Sequence, residues 1–286
     1  MQTLTLKQKI FNSSVTKIVL ALLVFLVVVV IGQQVVSRLL SITTLDKDVR
    51  NVIKGVFVSS SVIISYVLFF KNYERRKVVE FAYQGLVKNL IIGVSVGFIL
   101  QSLTILVIYL NGGYRIVAVN PLSFIVIPFV TMLTVSIIEE VLVRGIIFRI
   151  TEEKLGSYIA LTISSLIFGA LHLANPHSSF LSGLCVTTAG FLLGSVFIYS
   201  RNLWFPIALH FAWNFTQSGI FGAVTSGNEK SSSLLEAKIQ GLEIITGGEF
   251  GPEGSIQATL ICLIAAVIFL FLSFKGSKII KPYWRQ

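Results

Sequence analysis

The sequence predicts an all-α fold: a polytopic membrane bundle of about eight transmembrane helices. Three observations carry this. Of 286 residues, 54% are hydrophobic and only 13% charged, whereas soluble domains carry about a quarter charged residues. The apolar residues fall in long runs, each near the roughly 20 residues that a spanning helix needs. The lysines and arginines behind the net charge of +10 lie in short segments between those runs.

Taken in order, the runs cover 18–36, 52–70, 89–110, 121–143, 158–175, 179–200, 202–220 and 256–274. The first, IVLALLVFLVVVVIG, follows Lys7, Lys9 and Lys17 as a signal peptide would. Its length, and the lack of a small-residue cleavage site after it, predict a retained spanning helix. The third run contains GVSVG, whose Gly93 and Gly97 have the small-xxx-small spacing of close helix packing; Gly190 and Gly194 repeat it in the sixth. GVSVG also matches G-x-S-x-G, but that motif acts on a strand-turn-helix corner, not inside an apolar helix. Segment 221–255, rich in Gly, Ser and Glu, is the one sizeable loop, either disordered or covering a face. Three regions follow: 1–120 without an assignable motif, 121–220 as the part that carries chemistry, and 221–286 as loop, last span and basic tail.

Eight spans put both termini on one side. Segment 71–88 (KNYERRKVVEFAYQGLVK), the stretch from Arg144 to Lys154, the Arg201 turn and the tail KGSKIIKPYWRQ all fall on that side and are basic. The opposite side receives 41–51, NGGYR, NPHSS and 221–255, which holds five of the 13 acidic residues. The positive-inside rule then places both termini in the cytoplasm of a cell-membrane protein. The same placement argues against nucleic acid as the partner of the positive charge. Cys185 and Cys262 lie far apart in apolar stretches and read as buried thiols with neither disulfide nor metal role.

Within SIIEEVLVRGIIF, residues 136–148, two glutamates and an arginine interrupt the fourth run. An acidic residue at a helix centre in lipid costs roughly 2.5–3.5 kcal/mol, so such residues need partners. Glu140 and Arg144 are spaced i,i+4 and can pair on one face. Glu139 is rotated by about 100° and points elsewhere, free to face a cavity. Taken alone, the charges could equally mark a helix end whose side chains snorkel to the interface. Two of the three histidines weigh against that, because they too lie in apolar helices: His172 in FGALHL and His210 in ALHFAWNF. Phe168 precedes His172 by four and Asn214 follows His210 by four, each pair on one helix face. His177, in NPHSS, reads as a solvated loop residue. Glu139 and His172 lie about equally far from a turn expected near Gly156, so an antiparallel pair brings them level. With His210 nine residues past Arg201, the cluster is expected in the cytoplasmic half of the membrane.

Aspartyl intramembrane proteolysis needs two buried aspartates, but Asp46 and Asp48 sit in a loop. No H-E-x-x-H zinc signature is present. Glu139, His172 and His210 could still form a two-His-one-Glu zinc triad, which stays open as an alternative to a metal-free site.

EEVLVR (139–144), FGALH (168–172) and HFAWN (210–214) resemble the three motifs of the CAAX-protease and bacteriocin-processing family, E-E-x-x-x-R, F-x-x-x-H and H-x-x-x-N/D, in that order. This family of intramembrane proteases includes the type II CAAX prenyl endopeptidases and the Abi proteins. The resemblance covers about 121–220. It implies a helical bundle with a conical cavity open to the cytoplasm and a glutamate-dependent, metal-free mechanism. Glu139 would be the base that activates water, with His172 positioning or deprotonating it. His210 and Asn214 would donate to the oxyanion, and Arg144 would fix Glu140 and the helix, with Phe168 beside them. The expected partners are the bilayer and a peptide or protein substrate, prenylated or a leader or pheromone peptide. Two other readings stand beside it: a catalytically silent scaffold or bacteriocin-immunity protein, and a proton-coupled transporter using the same buried Glu and His residues.

Overall fold

A backbone in lipid must satisfy its own hydrogen bonds, and helices do so within one segment. The computed structural model, which describes Phe11 and residues 13–285, follows that constraint. Lys7 and Lys9 lie outside the described residues. Helix α1 spans Ser14–Ser41, α2 Lys47–Tyr73 and α3 Leu86–Leu110. Helix α4 spans Val126–Glu140 and continues as a π-helical stretch, Val141–Phe148, into α5, Arg149–His172. Helix α6 covers Phe180–Ser200; α7 covers Trp204–Phe215 and runs into a π turn, Thr216–Ile220. A short α8, Glu243–Thr246, precedes α9, Ile256–Lys275. Polar residues at the starts explain several boundaries. Ser13 accepts from Thr16 N, Asp46 from Asp48 N and Ser255 from Ala258 N, while Ser179 and Ser182 form a reciprocal capping box.

All eight expected runs fall on helices. Six described helices are long and apolar enough to cross a membrane: α1, α2, α3, the continuous run Leu122–His172, α6 and α9. The expected fourth and fifth spans are the two legs of that continuous run. They part at Gly156, whose φ of 77° and ψ of 169° are not helical. A Cβ there would also lie 2.7 Å from Pro282 N, because the tail backbone packs against the break.

The ends of the helices collect into two faces of opposite character. On one, Lys17 and Arg149 bind Glu74 at 3.1 Å each, Arg76 binds Glu80 at 2.9 Å, and Arg201 binds Glu152 at 2.5 Å and the carbonyl of Lys278. Burial alone would raise the Glu74 carboxyl; Arg149, with Arg76 and Lys17, holds it below the usual carboxylate range. The cations of the basic segments are thus paired with the acids interspersed among them.

On the other face, strand β1 (Tyr114–Val119) pairs antiparallel with β2 (Leu235–Ile239), with an irregularity between Ile116 and Ala118. Asn120 N donates to Leu234 O, Asn175 Nδ2 to Ser226 O and Gly227 N to Phe250 O. Segment 221–255 is therefore a folded cap.

Helix packing uses the glycines as expected. A Cβ on Gly97 would lie 2.3 Å from Leu209 O, and one on Gly93 2.7 Å from the Ala208 Cβ, so α3 rides on the backbone of α7. GVSVG is a packing surface. A Cβ on Gly190 would likewise lie 3.0 Å from the Ser165 Cα, so α6 packs closely on α5. Replacing Gly97 by Val must separate α3 from α7. Overpacking of this kind costs about 1–3 kcal/mol, so thermal unfolding in detergent should begin at a lower temperature than for the parent.

Candidate active site

Glu140 ends α4, and Arg144 lies one turn on, in the π-helical stretch; both side chains are 0% exposed. Arg144 Nη1 donates to Glu140 Oε1 at 2.7 Å, and Nη2 donates to Gly190 O on α6 at 3.1 Å. The guanidinium sits 4.6 Å from the Phe168 ring centroid on α5. The same Oε1 of Glu140 accepts from His210 Nδ1 on α7 at 2.9 Å. One ion pair therefore joins four helices. π-Helical turns interrupt α-helices chiefly where a site needs a displaced side chain, and this one begins at the residue after Glu140.

Glu139 turns away from the pair, and its side chain is 27% exposed. Its Oε2 lies 3.8 Å from His210 Nε2 and 4.0 Å from His172 Nε2. His172 Nδ1 bonds Phe168 O at 2.9 Å. A carbonyl only accepts, so Nδ1 carries the hydrogen and Nε2 is turned towards Glu139. His210, held through Nδ1 by Glu140, presents Nε2 in the same way. The Phe168 ring packs on both imidazoles, with centroids 4.7 Å from His172 and 5.9 Å from His210. All seven residues singled out in the sequence, Glu139, Glu140, Arg144, Phe168, His172, His210 and Asn214, thus lie in one cluster or line its cavities. His177 does not: it is a surface residue paired with Glu249 at 2.9 Å.

A cavity of about 540 Å³ is lined by Glu139, His172 and Asn214 together with Asn175, Ser226 and Glu229. Beside it a recess of about 40 Å³, walled by apolar residues such as Val186, Leu193 and Trp213, also reaches His172, His210 and Asn214. The cavity is walled by residues of the 223–231 stretch of the cap, on the face opposite the basic ion-pair cluster, and the path of α5 brings it there. His172 is its last residue, sixteen beyond the break at Gly156, or about 24 Å along a helix axis.

A third carboxylate, which the sequence reading missed, lies beside this cluster. Glu253, buried in the cap, accepts from Ser226 N and Oγ at 2.5 and 2.8 Å and from Gln217 Nε2. It lines the same recess as His210 and Asn214. Gln217 also donates to Val224 O and accepts from Gln101 on α3 at 2.7 Å, so this chain of polar groups pins the cap to two helices. Gln101, a lone amide in an apolar run, was the readable signal; a glutamate in a loop carries none, because most are solvated. Burial pushes the Glu253 carboxyl up to about 7, against hydrogen bonds from Ser226 that lower it.

Residues 121–216 match the family described as "Type II CAAX prenyl endopeptidase Rce1-like". Among curated proteins, the chain is 31% identical over 114 residues to the Bacillus subtilis (strain 168) protein named "Putative membrane peptidase YdiL", covering 40% of this chain and 42% of that protein. It is 35% identical over 104 residues to "Uncharacterized protein YpbD" of the same organism, covering 36% of this chain and 50% of that protein. The chain thus spans half or less of the length of these relatives. The segment that carries the three motifs is the one that is similar to this family, and six described helices are long and apolar enough to cross a membrane.

Two measurements probe the electrostatics. Removing one member of a buried ion pair strands the other, at a cost of about 3–5 kcal/mol. Arg144→Leu should therefore lose folded protein in detergent far more than Glu139→Gln, whose side chain is partly exposed. For Glu253, the raised folded pKa means the protonated carboxyl favours the fold. That stabilisation is complete below the ordinary value of 4.5 and is lost as pH rises through about 7. The unfolding temperature should fall between pH 5 and 8 by roughly the effect of one such group, and Glu253→Gln should flatten that slope.

Proposed function

We propose that this protein is an intramembrane endopeptidase that hydrolyses a peptide bond of a membrane-associated or lipidated substrate, with water activated by Glu139. One observation carries the reading: the two histidine Nε2 atoms converge on Glu139 Oε2 at 3.8 and 4.0 Å, beside a cavity that Glu139 and His172 line. Those separations are too long for direct hydrogen bonds and suit polar atoms that share one water.

In this mechanism Glu139 takes a proton from the water while His172 Nε2 orients it. The oxygen adds to the substrate carbonyl carbon, and the oxyanion receives hydrogen bonds from the Asn214 amide and from His210 Nε2. Donation by Nε2 requires His210 to carry both ring protons, and the Glu140 carboxylate at Nδ1 offsets that charge. The proton held by Glu139 then passes to the leaving nitrogen, the C–N bond breaks, and a carboxylic acid and an amine result. Arg144, through Glu140, positions His210 and touches no reacting atom.

Zinc is the second reading, because both histidines hold oxygen acceptors at Nδ1 in the manner of metal ligands. Against it, tetrahedral ligands at zinc stand about 3.3 Å apart, closer than the spacings here, and no group among the described residues is arranged to hold a metal. A scaffold or immunity role needs no such convergence of a carboxylate with two imidazoles.

The test is cleavage of a quenched peptide library, prenylated and plain, by purified protein in detergent. Glu139→Ala should lower kcat/KM by about 10²–10⁴ and Asn214→Ala by about 10²–10³, with chelator harmless to the parent. Unchanged cleavage by Glu139→Ala would remove it as the base. Loss of activity on chelation would move the site to the zinc enzymes.

A further inference from the structure

We infer that Glu253, acting through Gln217, is a positioning residue for Asn214: the two hold the turn after α7 so that the Asn214 amide stays aimed at the site. The positioning stands on the geometry alone; its effect on turnover rests on the peptidase reading above.

π-Helical turns are rare and gather at functional sites. Among the described residues they occur twice, each beside a member of the central cluster. Val141–Phe148 follows Glu140 directly, and Thr216–Ile220 begins two residues after Asn214. The first is fixed by the buried Arg144. The second, TQSGI, carries no charge of its own, and Gln217 fixes it instead. This fully buried side chain accepts from Gln101 Nε2 on α3 at 2.7 Å, and its own Nε2 donates to Val224 O at 2.7 Å and to Glu253. The backbone of the turn is tied to the same cap: Ala223 N donates to Gln217 O at 2.9 Å, and Leu234 N to Gly219 O at 2.8 Å. Within the turn, Ser218 Oγ donates back to Asn214 O at 2.8 Å.

Glu253 closes the chain of contacts. One carboxylate oxygen accepts from Gln217, and the other from Ser226 N and Oγ at 2.5 and 2.8 Å. Gly251 lets the preceding backbone press onto the same amide: a Cβ there would lie 3.2 Å from Gln217 Nε2 and 2.3 Å from Val224 O. Glu253, Ser226 and Asn214 then line one recess.

Gln101, Gln217 and Glu253 all lie outside residues 121–216, so the family match assigns them nothing. Holding a loop to a bundle does not require a buried carboxylate and two buried amides, since apolar packing does so without the desolvation cost. Hydrogen bonds add direction, because each fixes an angle as well as a distance. The element that receives this direction is the turn joined to Asn214. An oxyanion donor depends on it, since a displacement of about 1 Å can cost 10²-fold in rate.

The test follows Asn214 itself. Protein purified in detergent with isotopically labelled asparagine gives the Asn214 side-chain NH2 pair by NMR, identified by its loss in Asn214→Ala. Whichever way Glu253→Gln is turned, its NH2 faces a donor, Gln217 Nε2 or Ser226 N. The Asn214 pair should therefore shift or broaden. Adding Gln217→Glu restores a carboxylate–amide contact and should sharpen the pair again. Gln217→Met, which removes the link at similar volume, serves if Glu253→Gln fails to fold. With any peptide the parent cleaves, Glu253→Gln should lower kcat about ten- to hundredfold at unchanged KM, and the exchanged pair should recover most of it. In an Asn214→Ala background the same change should cost less than about twofold, because residues acting through one group are not additive. Losses that multiply with Asn214→Ala, or an Asn214 pair indifferent to both Glu253→Gln and Gln217→Met, overturn the inference. If the pair responds but the parent cleaves no peptide, the peptidase reading falls while the positioning stands.

Discussion

The Glu140–Arg144 ion pair is the constraint on which the rest of the structure depends. Neither charge can be hydrated at full burial, so each must find its partners within the protein. The pair supplies only part of what is needed. Arg144 takes a carbonyl from α6 and a ring face from α5, and Glu140 takes an imidazole N–H from α7. Each helix must approach closely enough to provide its share. That explains why Gly190, whose carbonyl Arg144 uses, lies against Ser165 with no room for a side chain. Charge satisfaction and close packing are here one requirement.

Adjacent glutamates with separate tasks follow from the same geometry. A helix turns neighbouring residues about 100° apart, so fixing Glu140 inward aims Glu139 at the cavity. Phe168 connects the two environments: its ring lies against Arg144 and both histidines, and its carbonyl sets the orientation of His172. In the proposed reaction this leaves little to reorganise, since the imidazoles are already held with Nε2 towards the carboxylate.

The two faces of the bundle are built differently. The basic face is filled by interlocked ion pairs; the opposite face carries a folded cap tied down through Gln101, Gln217, Ser226 and Glu253. Burial pushes the Glu253 carboxyl up to about 7 against the hydrogen bonds from Ser226, so the cap's hold on the bundle is coupled to pH. Glu253 shares the recess that reaches His210 and Asn214, which brings the cap's electrostatics to the edge of the candidate site.

By itself the sequence determined the class of fold, the approximate position of every long helix and the seven residues of the central cluster. These are legible because they depend on short-range pattern. Apolar runs report spanning segments, i,i+4 spacing reports a shared helix face, and a charge in an apolar run reports a buried partner. The GVSVG stretch was read correctly for the same reason, its context being local. Only tertiary structure decided the rest. Which face the cavity opens on depended on where α5 breaks and ends. The hold of Glu253 on the cap depended on Gln217 and Ser226, distant from it in the chain. The two-stranded pairing of Tyr114–Val119 with Leu235–Ile239 joined segments more than a hundred residues apart. Contacts of that range leave no periodic trace along the chain, so the sequence alone could not show them.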